Sequence, residues 1–116
     1  MLADPVALEQ IVHNLVDNAV RALESVPAGR RRLTLETGTH SGHGTLVVRD
    51  SGPGIAPEAL PRVLEPFFTT RQGGLGLGLA LADTLAQSME GSLHVANVEP
   101  QGAQFTLRLP LAGAAR

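Results

Sequence analysis

The 116-residue chain has no cysteine, no tryptophan and no tyrosine, and only three phenylalanines. Without cysteine it can build neither a disulfide framework nor a thiolate metal site, and the composition suits a reducing compartment. Without Trp and Tyr it lacks the usual stacking platform for nucleic acid. A formal net charge of −2 supplies no basic footprint for a polyanion. No apolar run approaches the roughly 18 residues of a membrane span, and the N-terminus carries no signal-peptide pattern. What remains is one domain over residues 1–116, long enough to bury its own core. Met1-Leu2-Ala3 leads straight into a helix cap, so we expect a piece of something longer.

One stretch stands out. Thr45-Leu46-Val47-Val48-Arg49 reads as a strand, and Asp50-Ser51-Gly52-Pro53-Gly54-Ile55 follows it at once. Alternate glycines permit positive φ and close approach of another molecule. Asp50 would then stand at the mouth of a sheet, where small-molecule sites tend to lie. A plain turn is the competing reading, because Asp and Gly dominate turns for local reasons.

Upstream, Asp4-Pro5 is a helix start, with Asp as cap and Pro at the first helical position. Leu8, Ile11, Val12, Leu15, Val16, Ala19 and Leu23 form the apolar stripe of an amphipathic helix. Pro27-Ala28-Gly29 ends it. A second row, Gln10, Asn14 and Asn18, is spaced four apart on one edge, and Arg21 continues it. Asn is a poor residue for a helix interior. Its neutral oxygen suits Mg²⁺, which takes few protein ligands beside phosphates and water. The alternative is a solvated edge with an Asp17–Arg21 pair.

Downstream, Gly74-Leu75-Gly76-Leu77-Gly78-Leu79-Ala80 places glycine at every second position. Such a run would ruin a strand and weaken a helix. Leu77, Leu81, Leu85 and Met89 predict a helix immediately after it, closed by Gly91. A glycine-rich helix start exposes backbone N–H groups and the positive end of the helix dipole, which together make an anion site. The run is neither a Walker loop nor a Rossmann fingerprint, for it has no Gly-Lys-Ser/Thr and no strand leads into it. Tight helix–sheet packing is the other explanation for the glycines.

The remaining segments read simply. Arg30-Arg31-Arg32 is a solvated strand entrance. Leu33, Leu35 and Thr37 alternate with polar neighbours, as in a half-buried strand. Thr39–Gly44 is the hairpin loop, and its two histidines have no third ligand nearby. Residues 57–64 suggest a short helix disturbed by Pro61. Ser92–Ala96 and Ala103–Leu109 form an antiparallel hairpin across Glu99-Pro100-Gln101-Gly102, and residues 111–116 form a tail.

The three main signals, taken in order, describe one nucleotide pocket: a carboxylate for an adenine amino group, amides for Mg²⁺, and backbone N–H groups for phosphates. With them the chain resembles the catalytic ATP-binding domain of two-component sensor histidine kinases, within the superfamily that shares the Bergerat ATP fold. The N box is His13-Asn14-Leu15-Val16-Asp17-Asn18-Ala19 and the first G box Asp50-Ser51-Gly52-Pro53-Gly54. The F box is Glu65-Pro66-Phe67-Phe68-Thr69-Thr70 and the second G box Gly74–Leu79. The likeness covers residues 4–110, and the Phe-Phe-Thr-Thr-Arg segment resembles nitrogen-regulation and dicarboxylate-sensing kinases.

That resemblance implies an α+β two-layer sandwich: a mixed, mainly antiparallel sheet of about four or five strands, covered on one face by about three helices. It implies ATP and Mg²⁺ as cofactors, with Asp50 accepting a hydrogen bond from adenine N6. The nucleotide would touch Asn14, Asn18, Arg21, Asp50, Gly52, Gly54, Ile55, Phe68, Thr70, Gly74, Leu75, Gly76, Leu77 and Gly78. Asn18 with Asn14 would hold the metal, Asn14 and Arg71 would take catalytic positions, and residues 65–76 would form a lid. The implied partners are a dimerisation domain bearing the phosphoacceptor histidine and a downstream response regulator, in the cytoplasm, with no nucleic-acid or membrane contact.

ATP-hydrolysing members of the superfamily carry Glu where this chain has Asn14. An amide cannot act as a general base, so ATP should be held for a nucleophile from outside. The family's acceptor histidine precedes Glu or Asp, whereas the histidines here precede Asn14, Ser41, Gly44 and Val95, and His13 reads as a helix-surface residue. A protein-serine kinase or anti-sigma module of the same superfamily is the alternative function, against which the long Phe-Phe-Thr-Thr segment argues. A degenerate interaction domain without nucleotide is a third, and no motif is degraded in its support.

Overall fold

The computed structural model describes residues 5–66 and 78–110. Two helices and four strands carry the fold: α1 (Pro5–Ala22), β1 (Leu33–His40), β2 (His43–Asp50), α2 (Gly78–Ser88), β3 (Ser92–Asn97) and β4 (Ala103–Pro110). Short 3-10 turns at Leu23–Ser25, Ala28–Arg30 and Leu60–Arg62 connect them. The sheet order is β1-β2-β4-β3, and every neighbouring pair is antiparallel. The architecture is therefore α+β, with a four-stranded sheet and two α-helices among the described residues. The mixed sheet and third helix of the sequence reading are not found there. Residues 57–64 give one 3-10 turn at Leu60–Arg62, because Pro61 supplies no N–H to an α-helical ladder.

The core lies between the sheet and the helices. Strand β4 is central, and its alternation puts Ala103, Phe105, Leu107 and Leu109 inward. Phe105 pairs with Val48 on one side and Val95 on the other. Above this row lie Ile11, Leu15 and Ala19 of α1 and Ala82, Ala86 and Met89 near α2. In α1 the expected stripe faces inward. In α2 the expected stripe does so only in part: Met89 is buried and Leu85 packs against the core, but Leu81 is 44% exposed, and Ala80, Ala82 and Ala86 are buried as well. The buried alanines need less room than leucine, so α2 lies against α1 and the sheet through its smallest side chains.

Three further local expectations are corrected. Glycine does not terminate α2 by its own conformation: Glu90 takes the left-handed position, at φ 63. Glu90 N donates to Gln87 O and Gly91 N to Ala86 O, the paired bonds of a Schellman motif. Gly91 is required for proximity instead, since a Cβ there would overlap the Arg108 carbonyl and Leu109 of β4. The hairpin loop is tight, with Ser41 and Gly42 both at positive φ (51 and 80) between paired His40 and His43, the twist that a two-residue hairpin needs. Strand β1 is largely exposed. Leu33 and Leu35 pair with Asp50 and Val48 and so share the helix-side face, yet they are 37% and 52% exposed. The helices pack on β2, β3 and β4, leaving the edge strand outside their cover.

The arginine run is exposed at all three positions, as expected, and one of its members also bonds to the backbone. Arg31 Nε donates to Val26 O at 2.7 Å and Nη2 to Glu24 O at 3.4 Å, so a cation satisfies carbonyls just beyond the C-terminal end of α1. Among the described residues no helix is long and apolar enough to cross a membrane.

The buried row on β4 makes two substitutions diagnostic. Phe105→Ala should destabilise the fold by about 3–5 kcal/mol, read from urea unfolding midpoints. Gly91→Ala should also destabilise, because the close atom is a β4 backbone carbonyl that cannot swing away, whereas Gly29→Ala, with open space around its Cβ position, should leave the midpoint nearly unchanged.

Candidate functional site

Asp50 takes its place from the two-residue repeat of β2. Leu46 and Val48 face the helix layer, and Asp50 is next on that face. A carboxylate therefore occupies a core-facing position and is only 3% exposed. Its Oδ1 accepts from Gly52 N at 2.8 Å and from Ala103 N at 3.4 Å. No fully buried side-chain oxygen or nitrogen among the described residues lacks a partner, so Oδ2, which neither N–H reaches, keeps contact with solvent. Burial pushes the Asp50 carboxyl above the usual carboxylate range, and the two backbone N–H donors oppose that only in part. One oxygen is thus fixed by the protein, and the other stays open as an acceptor.

The residues after Asp50 are held one by one. Ser51 Oγ donates to Arg30 O at 2.8 Å and accepts from Arg32 N at 2.8 Å. Gly52 lies against the end of α1: a Cβ there would sit 2.9 Å from Ala22 O and 2.9 Å from Asp50 Oδ1. Gly54 adopts φ +81, which a side chain would strain. Ile55 packs on the core, and both of its backbone polar groups are bonded to Asn97. Asp50-Ser51-Gly52-Pro53-Gly54 is a shaped loop and not a generic turn.

The asparagine edge of α1 connects this loop to the start of α2. Asn14 Nδ2 donates to Gly78 O at 3.0 Å, and Asn14 Oδ1 accepts from Gln10 Nε2 at 2.9 Å. Ala22, two turns further along the same edge, meets Gly52. Asn18 lies between them, about 6 Å along the axis from each. It is half-buried, and its amide has no hydrogen-bond partner among the described residues. Arg21 Nε is paired with Asp17 Oδ2 at 3.0 Å, both half-exposed, an interaction weak enough to exchange. His13 is exposed. Gly78 opens α2, and no described residue lies within 4 Å of its Cβ position, so packing against the described residues does not demand glycine there.

The structure thus brings together Asp50, Gly52, Gly54 and Ile55 at one end of α1, with Asn14 and Gly78 at its middle. Phe68, Thr70, Arg71, Gly74, Leu75, Gly76 and Leu77 lie outside the described residues. Among the described residues no three His, Cys, Asp or Glu side chains cluster to hold a metal. The chemistry of the donor set instead fits a cation held mainly by phosphates and water with one neutral amide oxygen, and Asn18 offers that oxygen. Sequence reasoning did not find Asn97, Gln101, Gly102 or the Ala103 N–H. The sole sequence signal for them was a polar residue ending an alternating strand, which reads as ordinary turn chemistry.

Comparisons with known proteins agree with this geometry. A family model described as histidine kinase-, DNA gyrase B-, and HSP90-like ATPase matches residues 3–113. The sensor histidine kinase ZraS of Escherichia coli (strain K12) is 39% identical over 110 residues, covering 94% of this chain and 23% of ZraS. The two-component sensor PprA of Pseudomonas aeruginosa is 45% identical over 113 residues, covering 93% of this chain and 12% of PprA. Among solved structures, the mycobacterial sensor histidine kinase MprB superposes with a TM-score of 0.82 at 31% identity, covering 95% of this chain and 76% of that one. Full-length ShkA in complex with AMPPNP superposes at 0.79 with 36% identity, covering 95% of this chain and 22% of that one. The chain spans less than a quarter of the length of these curated relatives. Four ordered motifs, a matching fold and a family match over nearly the whole chain have one conclusion: this chain belongs to the histidine kinase-, DNA gyrase B- and HSP90-like ATPase family.

Proposed function

We propose that residues 1–116 form the ATP-binding catalytic domain of a sensor histidine kinase, with residues 4–110 as its core. It binds Mg-ATP and presents the γ-phosphoryl group to a histidine on a separate dimerisation domain, from which a response regulator is served. It works in the cytoplasm. The observation that carries the reading is Asp50, a buried carboxylate with one oxygen fixed by Gly52 and Ala103 and the other left as an acceptor. An adenine N6 amino group is a donor that matches it.

The other residues follow from the same geometry. Gly54 and Ile55 border the base. The start of α2 faces the phosphates with the N–H groups of its first turn and has no acidic residue there. Arg21 exchanges Asp17 for phosphate. Residues 65–76, with Phe68, Thr70 and Arg71, cover the nucleotide, and Gly74 to Gly78 line its phosphates. Asn18 would hold Mg²⁺, and Asn14 would join it through the lone pair of its oxygen that Gln10 leaves open. When bound, Mg²⁺ neutralises charge on the phosphate oxygens.

The protein contributes position and charge stabilisation. The incoming imidazole nitrogen forms its bond to the γ-phosphorus as the bond to the β–γ bridging oxygen breaks, and ADP leaves. Asn14 stands where a water-activating Glu would be needed and has no basicity to offer, so transfer to a histidine outruns hydrolysis. The homologues' names support this, as does the AMPPNP bound in the ShkA structure.

Two measurements test it. Calorimetry should detect Mg²⁺-dependent binding of a non-hydrolysable ATP analogue, weakened in Asp50→Asn by about ten- to hundredfold, the worth of a buried hydrogen bond turned into two opposed donors (about 1–3 kcal/mol); unchanged binding would remove Asp50 from the adenine site. With labelled ATP and a histidine-bearing dimerisation domain, the product should be acid-labile phosphohistidine, and acid-stable phosphoserine would overturn the assignment.

A pH dependence follows from the raised Asp50 carboxyl. The folded state takes up this proton more readily than the unfolded chain, whose value is near 3.8. Ionised Asp50 therefore lowers stability above the folded value, and that loss is relieved as pH falls through the window down to 3.8. Near neutral pH Asp50→Asn should melt no lower than the parent chain, and acidification should favour the parent over the variant. ATP affinity should fall over the same acid range, because the added proton sits on the open oxygen and faces the N6 donor.

A further inference from the structure

Strand β2 ends at Asp50, so the residues beyond it have no ladder of their own. The turn between β3 and β4 takes the ladder's place. Asn97 Oδ1 accepts from Ile55 N at 2.8 Å, and Asn97 Nδ2 donates to Ile55 O at 2.7 Å. One side-chain amide thus makes both bonds that a neighbouring strand would make. Among side chains only Asn and Gln carry a donor and an acceptor disposed like a peptide group.

The rest of the turn follows the loop backwards. Gln101 Nε2 donates to Ser51 O at 3.3 Å. Gly102, at φ +127, passes so close to Asp50 that a Cβ would overlap its carbonyl oxygen. Val98 N donates to Gly102 O at 3.0 Å, which braces the turn internally. Gly54 is equally closely fitted, since a Cβ there would lie 3.0 Å from Asn97 Oδ1. Both ends of the segment from Asp50 to Ile55 are therefore set by one neighbouring turn.

We infer that Asn97 is a positioning residue for base recognition: by clasping Ile55 it fixes the loop that holds the open oxygen of Asp50 at the height of the 6-amino group. The inference rests on the nucleotide reading above and deepens it. Asn97 is itself exposed, and exposed hydrogen bonds contribute little to global stability. Its effect falls on the base and not on the fold or the phosphates.

The test compares three probes on the 116-residue chain by calorimetry: Mg-ATP, the Mg-triphosphate of purine riboside, which lacks the 6-amino group, and Mg-tripolyphosphate. The parent chain should prefer ATP to the purine analogue. In Asn97→Ala that preference should shrink by about tenfold, with tripolyphosphate affinity held within about twofold and the far-UV spectrum unchanged. Asn97→Ser, which keeps one of the two bonds, should fall between them, and decides the matter if the alanine variant does not fold. An equal loss for all three probes would reduce Asn97 to a structural role and overturn the inference, as would an unaltered preference. Failure of the parent chain to bind Mg-ATP would instead overturn the nucleotide reading and this inference with it.

Discussion

The site depends on one constraint, a carboxylate held on the inner face of a sheet. The alternation that buries Leu46 and Val48 also turns Asp50 inward, and no local choice at residue 50 can undo it without shifting the whole strand. Burial of the charge is unfavourable, and the chain offsets it with Gly52 N and Ala103 N on a single oxygen. The glycines follow from this. Gly52 must let the chain fold back to its own carboxylate against the end of α1, and Gly102 must let a second strand pass beside it. The loop is shaped around the charge, and the selectivity assigned to it follows from leaving the second oxygen unsatisfied.

Helix α1 relates this corner to the rest of the site. Its apolar face is core, with Ile11, Leu15 and Ala19 fully covered. Its polar edge touches the start of α2 through Asn14 and the Asp50 loop through Ala22. A rigid rod of backbone hydrogen bonds therefore sets the spacing between the Asp50 loop and the start of α2. Asn14 serves the architecture as well as the chemistry proposed for it, since both ends of its amide are occupied.

Much of this was legible in the sequence. The period of α1, the strand running into Asp50, the closing hairpin and the order of the motifs all rest on local regularities. What was not legible depended on partners distant in the chain. Leu81 lies on the predicted stripe yet is exposed, because periodicity cannot report how closely two helices approach. Leu33 and Leu35 alternate like buried residues, but their strand lies beyond the helices' reach. Gly91 reads as the end of α2, but Glu90 takes the left-handed position that ends it. Asn97 reads as ordinary turn chemistry, for its importance lies in Ile55, 42 residues away.

The exposed edge strand has a dynamic side. Strand β1 draws little from apolar burial and is held mainly by its ladder to β2, so it belongs to the part of the molecule that opens first in local fluctuations. Ser51 is fastened to Arg30 and Arg32, at the root of that strand. Each fraying of β1 at its root therefore loosens one anchor of the Asp50 loop, while the anchors from the turn between β3 and β4 stay closed. The Asp50 loop thus sits on the boundary between the covered strands of the sheet and its exposed edge.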